Sequence, residues 1–330
     1  MMETAATKTQ KLRHSSAGDG DTFMPSGATF NLSSLNGENG FRVTSSEFSH
    51  FGASFSTGDV NGDGVADLII GSTPAGSPEN QFAYVVFGQE GGLTATLDVT
   101  ALDGSNGFRL SGGVANHDLG ASVGAGDING DGYVDVIVGD PNYGYEGAVF
   151  VQFGAASGFA ASTGVLSAGF SGLRITDGSI NSSLFGTSVA SVGDFNGDGF
   201  DDFVIGDVGG YGKAYLIFGQ SGFGSTFDAS TLDGSNGFVI TRSDYGDIGR
   251  SVSSAGDING DGYGDLLIGD PEMQDGSARG SSYVVFGAAS GFSATLDVSS
   301  LNGTNGFRIY DTEAGYDASG YSVSAMGDIN

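Results

Sequence analysis

The chain contains no cysteine, no tryptophan and only 5 prolines in 330 residues, and its 11 lysines and arginines face 39 acidic residues. Without cysteine there are no disulfides and no thiolate metal sites. This leaves the compartment open, because a β protein stapled by cations can work outside the cell without disulfides. The net charge of −28 repels phosphate backbones and anionic membrane surfaces, so nucleic acid is excluded as a natural partner. No apolar run is long enough to cross a bilayer, so direct membrane insertion is not expected. Residues 1–29 carry Lys8, Lys11 and Arg13 but no apolar core of a signal peptide, and they read as a polar, disordered segment. No stretch sustains the spacing of an amphipathic helix. No Ser-His-Asp order, paired-carboxylate cleft or histidine cluster is visible either, so the chain does not read as an enzyme.

What the chain has is glycine, 61 residues of it, and repetition. An Asp-x-Asn-x-Asp-Gly-x-x-Asp loop begins at Asp59, Asp127, Asp194 and Asp257, and a fifth copy starts at Asp328 and reaches only Asn330. Successive starts lie 68, 67, 63 and 71 residues apart, a period that marks tandem structural units. The flanks repeat too. Ahead of the loops stand Phe51-Gly52-Ala53-Ser54, Leu119-Gly120-Ala121-Ser122, Phe185-Gly186-Thr187-Ser188, Ile248-Gly249-Arg250-Ser251 and Ser319-Gly320-Tyr321-Ser322. Behind them run apolar segments ending in glycine at 67–71, 135–139, 202–206 and 265–269, then a second set at 84–88, 149–154, 215–219 and 283–287. A shorter segment closes each unit at 107–110, 172–175, 237–240 and 306–309. These pieces are short, rich in Val, Ile, Phe and Tyr, and bounded by Gly, Asn and Asp, which is the signature of strands. Four strands per unit is what a propeller blade requires, so the expected fold is all-β, a β-propeller with units near 45–112, 113–177, 178–242 and 243–310 and a partial one at 311–330.

The loop spacing points to a cation. Positions 1, 3 and 5 carry side-chain oxygens, glycine at position 6 permits a sharp turn, position 7 can offer its carbonyl and Asp at position 9 closes the shell. All are hard oxygen donors, which suit Ca²⁺ better than zinc or copper, and the tight octahedron of Mg²⁺ with its retained waters fits less well. Without a cation, carboxylates about 4 Å apart repel by about 4 kcal/mol per pair at an effective dielectric near 20. An EF-hand shares the first positions but needs Glu at position 12 and flanking helices. Position 12 here is Ile70, Val138, Ile205 or Ile268, each inside an apolar strand. The period of nine of secreted calcium-binding nonapeptide repeats is absent, and propellers of the Trp-Asp type are disfavoured by the lack of tryptophan.

Phe-Gly ahead of the loop, the loop itself, and Gly with a nearby Pro after the next strand together resemble the FG-GAP repeat of the integrin α-subunit β-propeller, over residues 30–330. The Gly-Ala-Pro element varies, as Gly71-Ser72-Thr73-Pro74, Gly139-Asp140-Pro141, Gly206-Asp207-Val208 and Gly269-Asp270-Pro271. The resemblance implies calcium ligands at Asp59, Asn61, Asp63 and Asp67; at Asp127, Asn129, Asp131 and Asp135; at Asp194, Asn196, Asp198 and Asp202; and at Asp257, Asn259, Asp261 and Asp265. It adds the carbonyls of Val65, Tyr133, Phe200 and Tyr263, giving about four sites for Ca²⁺.

The resemblance also implies an extracellular or cell-surface setting and a role in binding or adhesion. With strands A to D running outward from the axis, the calcium loops share one face with the C–D connections. A protein or glycan ligand is expected on the other face, where Tyr143, Tyr145, Tyr211, Tyr245, Tyr316, His50 and His117 are the candidates. Asp140 and Asp270, after strand B, read as turn-stabilising Asx residues. Repeats of this kind also accompany a secreted phospholipase D specific for glycosylphosphatidylinositol anchors, so a non-catalytic accessory propeller of a hydrolase is an alternative. A purely structural calcium-loaded surface repeat is another. Phe30-Asn31-Leu32 and Gly40–Val43 reproduce the end of a unit, so the N-terminal region supplies a D strand. Four units and the start of a fifth predict an open or incomplete propeller, or a part of a longer protein, with apolar blade faces exposed at both ends.

Overall fold

The computed structural model describes residues 31–325 apart from 38, 47–48, 75–80, 114–116, 180–182, 244–245, 272–279 and 312–317. The segment 1–29, the truncated loop at Asp328 and Asn330, and the candidates Tyr245 and Tyr316 lie outside these residues. Strand β1 (Arg42–Thr44) comes first. The first unit then supplies β2 (Ser49–Gly58), β3 (Asp67–Pro74), β4 (Phe82–Val86), β5 (Thr96–Asp98) and β6 (Gly107–Ser111). The second gives β7 (Ser122–Gly126), β8 (Asp135–Asp140), β9 (Ala148–Gln152), β10 (Ser162–Gly164) and β11 (Leu173–Thr176). The third gives β12 (Phe185–Gly193), β13 (Asp202–Asp207), β14 (Lys213–Ile217), β15 (Thr226–Asp228) and β16 (Gly237–Thr241). The fourth gives β17 (Ser251–Gly256), β18 (Asp265–Asp270), β19 (Ser281–Val285), β20 (Thr295–Asp297) and β21 (Gly306–Tyr310).

In each unit the four longer strands pair antiparallel in sequence order, as A, B, C and D of a blade. The four A strands, β2, β7, β12 and β17, pack side by side in succession and form the inner row of a propeller arc. Alternation of side chains decides which blade face each residue serves. In the first blade Ile69, Val85, Phe108 and Leu110 pack against Val123, Val136, Val138 and Phe150 of the second. Their neighbours Ile70, Tyr84 and Val86 turn the other way, toward Val43 and Phe51. The same division places Ile137, Val149 and Ile175 against Phe203 and Ile205, and Val204, Leu216 and Ile240 against Leu266 and Ile268.

Each of the first three blades also has a strand that the four-strand pattern did not foresee. The short strand within the C–D connection of one unit pairs in parallel with the D strand of the unit before it: β10 with β6, β15 with β11 and β20 with β16. β5 pairs in the same way with β1, which identifies β1 as a D strand, as the Gly40–Val43 segment predicts. After β5, β15 and β20 the chain makes a single 3₁₀ turn capped by the preceding aspartate, whose carboxylate accepts the N–H of Thr100, Ser230 or Ser299. Asp at such a cap satisfies an otherwise orphaned donor.

The Phe-Gly and Gly-Ala-Pro elements meet between blades. Gly120, Gly186, Gly249 and Gly320 all have φ between +88° and +96°, a left-handed conformation that turns their carbonyls toward the preceding blade. There the A-strand serines donate to them: Ser54 Oγ to Gly120 O at 3.1 Å, Ser122 to Gly186 at 2.8 Å, Ser188 to Gly249 at 2.8 Å and Ser251 to Gly320 at 3.1 Å. The glycine near the end of each B strand, Gly71, Gly139, Gly206 or Gly269, lies directly under the same carbonyl and leaves no room for a β-carbon. Units three and four hold one residue more than unit two between this serine and the loop. A bulge between Ser191 and Gly193, and another between Ser254 and Gly256, absorb it without changing the loop geometry.

The four blades form an open arc. Phe55 on the outer side of the first blade is 77% exposed, whereas Val123, Val189 and Val252 at the same position are at most 9% exposed. Ile309 on the far face of the fourth is 49% exposed, whereas Leu110, Ile175 and Ile240 are fully buried.

Replacing Ser122 by Ala leaves the buried Gly186 carbonyl without its donor and should destabilise the fold by about 1–3 kcal/mol. Gly139→Ala drives a methyl group into that carbonyl and should cost more. Urea denaturation of the two variants beside wild type measures the order.

Candidate metal centres

All four repeated loops connect strand A to strand B and adopt one hydrogen-bond pattern. In the second, the Asp127 carboxylate accepts Gly130 N and Asp131 N on one oxygen and Gly132 N at 2.9 Å on the other. Asn129 Oδ1 accepts Asp131 N at 2.9 Å, its amide donates to Asp131 Oδ2 at 3.0 Å, and Asp131 Oδ1 accepts Tyr133 N at 3.0 Å. The third and fourth loops repeat each bond through Asp194, Asn196 and Asp198 and through Asp257, Asn259 and Asp261. The first loop does so through Asp59, Asn61 and Asp63, except for a bond to Gly62 N. Glycine at the sixth position, residues 64, 132, 199 and 262, has φ between +84° and +93°, as the sharp turn requires.

The ninth position differs from the others because it is buried. Asp67, Asp135, Asp202 and Asp265 are at most 1% exposed. One oxygen accepts the N–H of the second loop residue: Val60 at 2.9 Å, Ile128 at 3.1 Å, Phe195 at 2.9 Å and Ile258 at 2.8 Å. The other accepts the N–H of the glycine that follows strand C: Gly88 at 2.8 Å, Gly154 at 2.9 Å, Gly219 at 2.8 Å and Gly287 at 3.0 Å. This carboxylate therefore joins the A–B loop to the end of strand C. Burial raises the pKa of all four carboxyls, partly opposed by these N–H donors, and carries Asp135 and Asp202 up to about 7. The adjacent charges of Asp131 and Asp127, or of Asp198, push in the same direction.

Among the described residues no three Asp, Glu or His side chains converge closely enough to hold a metal by themselves. The donor set that the resemblance implies adds an asparagine oxygen and the seventh-position carbonyl to the loop's three carboxylates. A buried carboxylate opposed by two further acids is short of positive charge, and an all-oxygen set of this kind fits a hard cation. The second loop residue, which the spacing argument left without a role, is an apolar anchor. Val60, Ile128 and Phe195 are fully buried between blades, and the signal for them was an apolar residue at that position in every copy. The glycines after strand C recur in the sequence only as segment ends, and their role as donors was missed, since a backbone donor has no side-chain signature.

On the opposite face the candidates separate. Tyr145 and Tyr211, in the B–C loops of the second and third blades, are exposed. Tyr143 instead packs edge-on against Phe150 and His117 and accepts a hydrogen bond from Arg174 at 3.2 Å. His117 is largely buried and its Nδ1 lies 2.8 Å from Asp140. His50 is exposed on β2, in register with Thr73. Asp140 does not use its carboxylate for an Asx turn. It reaches 22 residues back to accept Asp118 N at 2.8 Å, and Asp270 likewise accepts Asp247 N at 2.9 Å and Arg242 at 2.7 Å. Asp207 accepts Leu184 N and Ser183 Oγ. In the second, third and fourth blades these aspartates fasten the D–A connection to the end of the blade's own B strand, a long-range partner that a local reading cannot see.

No helix among the described residues is long and apolar enough to cross a membrane. The FG-GAP repeat family matches residues 51–86, 119–151, 185–217 and 249–285, each spanning strands A to C of one blade. Phosphatidylinositol-glycan-specific phospholipase D of Bos taurus is 29% identical over 71% of this chain and 28% of its own length. Integrin alpha-7 of Homo sapiens is 35% identical over 48% of this chain and 13% of its own length, and integrin alpha-PS2 of Drosophila melanogaster is 27% identical over 67% and 15%. The chain thus spans less than a third of the length of these relatives. Four matched repeats, set on four blades whose contacts use the Phe-Gly and loop residues of the motif, make this an FG-GAP repeat protein that resembles the integrin α-subunit β-propeller.

Proposed function

We propose that the chain is a calcium-binding propeller module, acting outside the cell or at its surface, that offers a protein or glycan ligand the face opposite its loops. The observation that carries the calcium reading is the fourfold recurrence of one loop geometry around a buried carboxylate. The overall charge of −28 leaves that carboxylate few basic neighbours. Asp67, Asp135, Asp202 and Asp265 with their loop partners are the proposed ligands, and Ca²⁺ there supplies charge and rigidity to the A–B loop rather than chemistry. Binding or adhesion as the module's task is supported by the integrin relatives, and the exposed Tyr145 and Tyr211 are the residues offered to a ligand. No catalytic group is assigned to this chain. The phospholipase D match over 71% of the chain favours, as a second reading, an accessory propeller attached to a hydrolase. Assaying the intact parent protein against lipid anchors and glycans separates the two readings.

Calorimetric titration should give about four calcium sites per chain, and Asp131→Ala should remove one of them. Calcium at 100 times its Kd should stabilise the protein by about 2.7 kcal/mol per occupied site. Absence of both heat and thermal shift rejects the reading.

The four buried carboxyls have folded-state pKa values above their unfolded ones, so in chelator they hold protons more tightly when folded. Their stabilising contribution is present below the unfolded pKa near 3.8 and is lost as pH rises through the folded values, which for Asp135 and Asp202 lie at about 7. The melting temperature in chelator should therefore fall as pH rises through that window. The gain from calcium should grow over the same window, because the ion binds the deprotonated form.

Tyr145→Ala/Tyr211→Ala should leave calcium stoichiometry unchanged and abolish capture of the ligand. Retained capture by the double variant removes this surface from the proposal.

A further inference from the structure

Loops of neighbouring blades touch one another. The first-position carbonyl of each loop accepts the N–H of the eighth residue of the next: Asp59 O from Val134 at 3.0 Å, Asp127 O from Asp201 at 3.1 Å and Asp194 O from Gly264 at 2.9 Å. The second-position carbonyls of Val60, Ile128 and Phe195 accept from Ala155, Gln220 and Ala288, just past strand C of the following blade. The seventh-position rings of Tyr133, Phe200 and Tyr263 lie against the fourth-position glycines of the preceding loop, Gly62, Gly130 and Gly197, where a β-carbon would collide with the ring. Gly260 of the fourth loop has nothing within 4 Å of where its β-carbon would be, and Ile258 beside it is 52% exposed.

The carbonyl of residue seven and the N–H of residue eight belong to one planar peptide, and they point in opposite directions. The carbonyl is the one offered to the ion, and the N–H holds the loop of the blade before. Whatever orients that plane in one loop acts on the next loop as well. We infer that the four calcium loops are one serially coupled array, in which filling a loop raises the affinity of its neighbours, with Tyr133, Phe200 and Tyr263 as the positioning residues that transmit the coupling. This inference rests on the reading of the loops as calcium sites. Coupling between sites is reciprocal, so emptying one loop weakens the loops on both sides.

Hydrogen exchange of peptides covering 127–135, 194–202 and 257–265, followed across a calcium titration of the whole chain, gives a midpoint for each loop. Asp198→Ala, which disables the third loop, should move the second and fourth loops to about tenfold higher calcium. Phe200→Ala keeps every proposed donor of the third loop. It should shift the second and third loops upward together by severalfold, and in that background Asp198→Ala should move the second loop far less. Wild-type midpoints for the second and fourth loops in Asp198→Ala overturn the coupling. So does a Phe200→Ala shift confined to the third loop, which would mark the ring as a local packing residue, and this variant stands as the test should Asp198→Ala not fold. If every wild-type loop responds to calcium but no midpoint outside the third loop moves in either variant, coupling alone fails. If no loop responds, the calcium reading fails and takes the coupling with it.

Discussion

A carboxylate buried beside other acids is the constraint on which this structure depends. At the ninth loop position the side chain has left water and accepts one N–H from its own loop and one from the glycine after strand C. Those two bonds fix where strand A ends, where strand B begins and how far strand C extends. Two backbone dipoles offset only part of the cost of removing a charge from water, which is why the group holds its proton far above the ordinary carboxylate range. Placing a divalent cation among the neighbouring oxygens would convert the same arrangement from a liability into a clamp.

Around that carboxylate, contact between blades is organised at three levels. Alternating apolar side chains fill the space between sheets. At one end of the A strands a serine hydroxyl meets the carbonyl of a left-handed glycine in the next blade, and at the other end the loops hold each other through backbone bonds. Apolar packing tolerates many substitutions of similar volume, whereas the polar contacts fix distance and register. The residues that define the repeat as a motif are mostly those that serve these polar contacts, and few of them contribute apolar area.

The period, the strands and the loops were legible in the sequence because each has a signature that survives in one dimension: recurrence, alternation and a fixed spacing of oxygen-bearing residues. The D-strand character of Gly40–Val43 was legible for the same reason, and β1 pairs as it should. The parallel edge strands were not. Thr96–Asp98 and its counterparts are only three residues long and alternate too briefly to stand out from a loop. The role of Asp140 was misjudged because the N–H it accepts, from Asp118, is 22 residues away and has no side-chain signature, and Asp270 has the equivalent long-range donor in Asp247. Tyr143 and Tyr145 illustrate the same limit. They are two residues apart in one glycine-rich loop, yet one is packed under an arginine and the other is in solvent.

The edge strand that each unit lends to its predecessor separates the unit of inheritance from the unit of folding. A duplication that copies one stretch of about 65 residues adds a blade and, in the same event, the strip that seals the blade before it. A cut between two sequence repeats tears a sheet, because the outermost strand of the retained blade lies beyond the cut. A fragment that preserves whole sheets has to run on past the next unit's strand C, to Gly164, Asp228 or Asp297, and so carries part of a blade it does not finish.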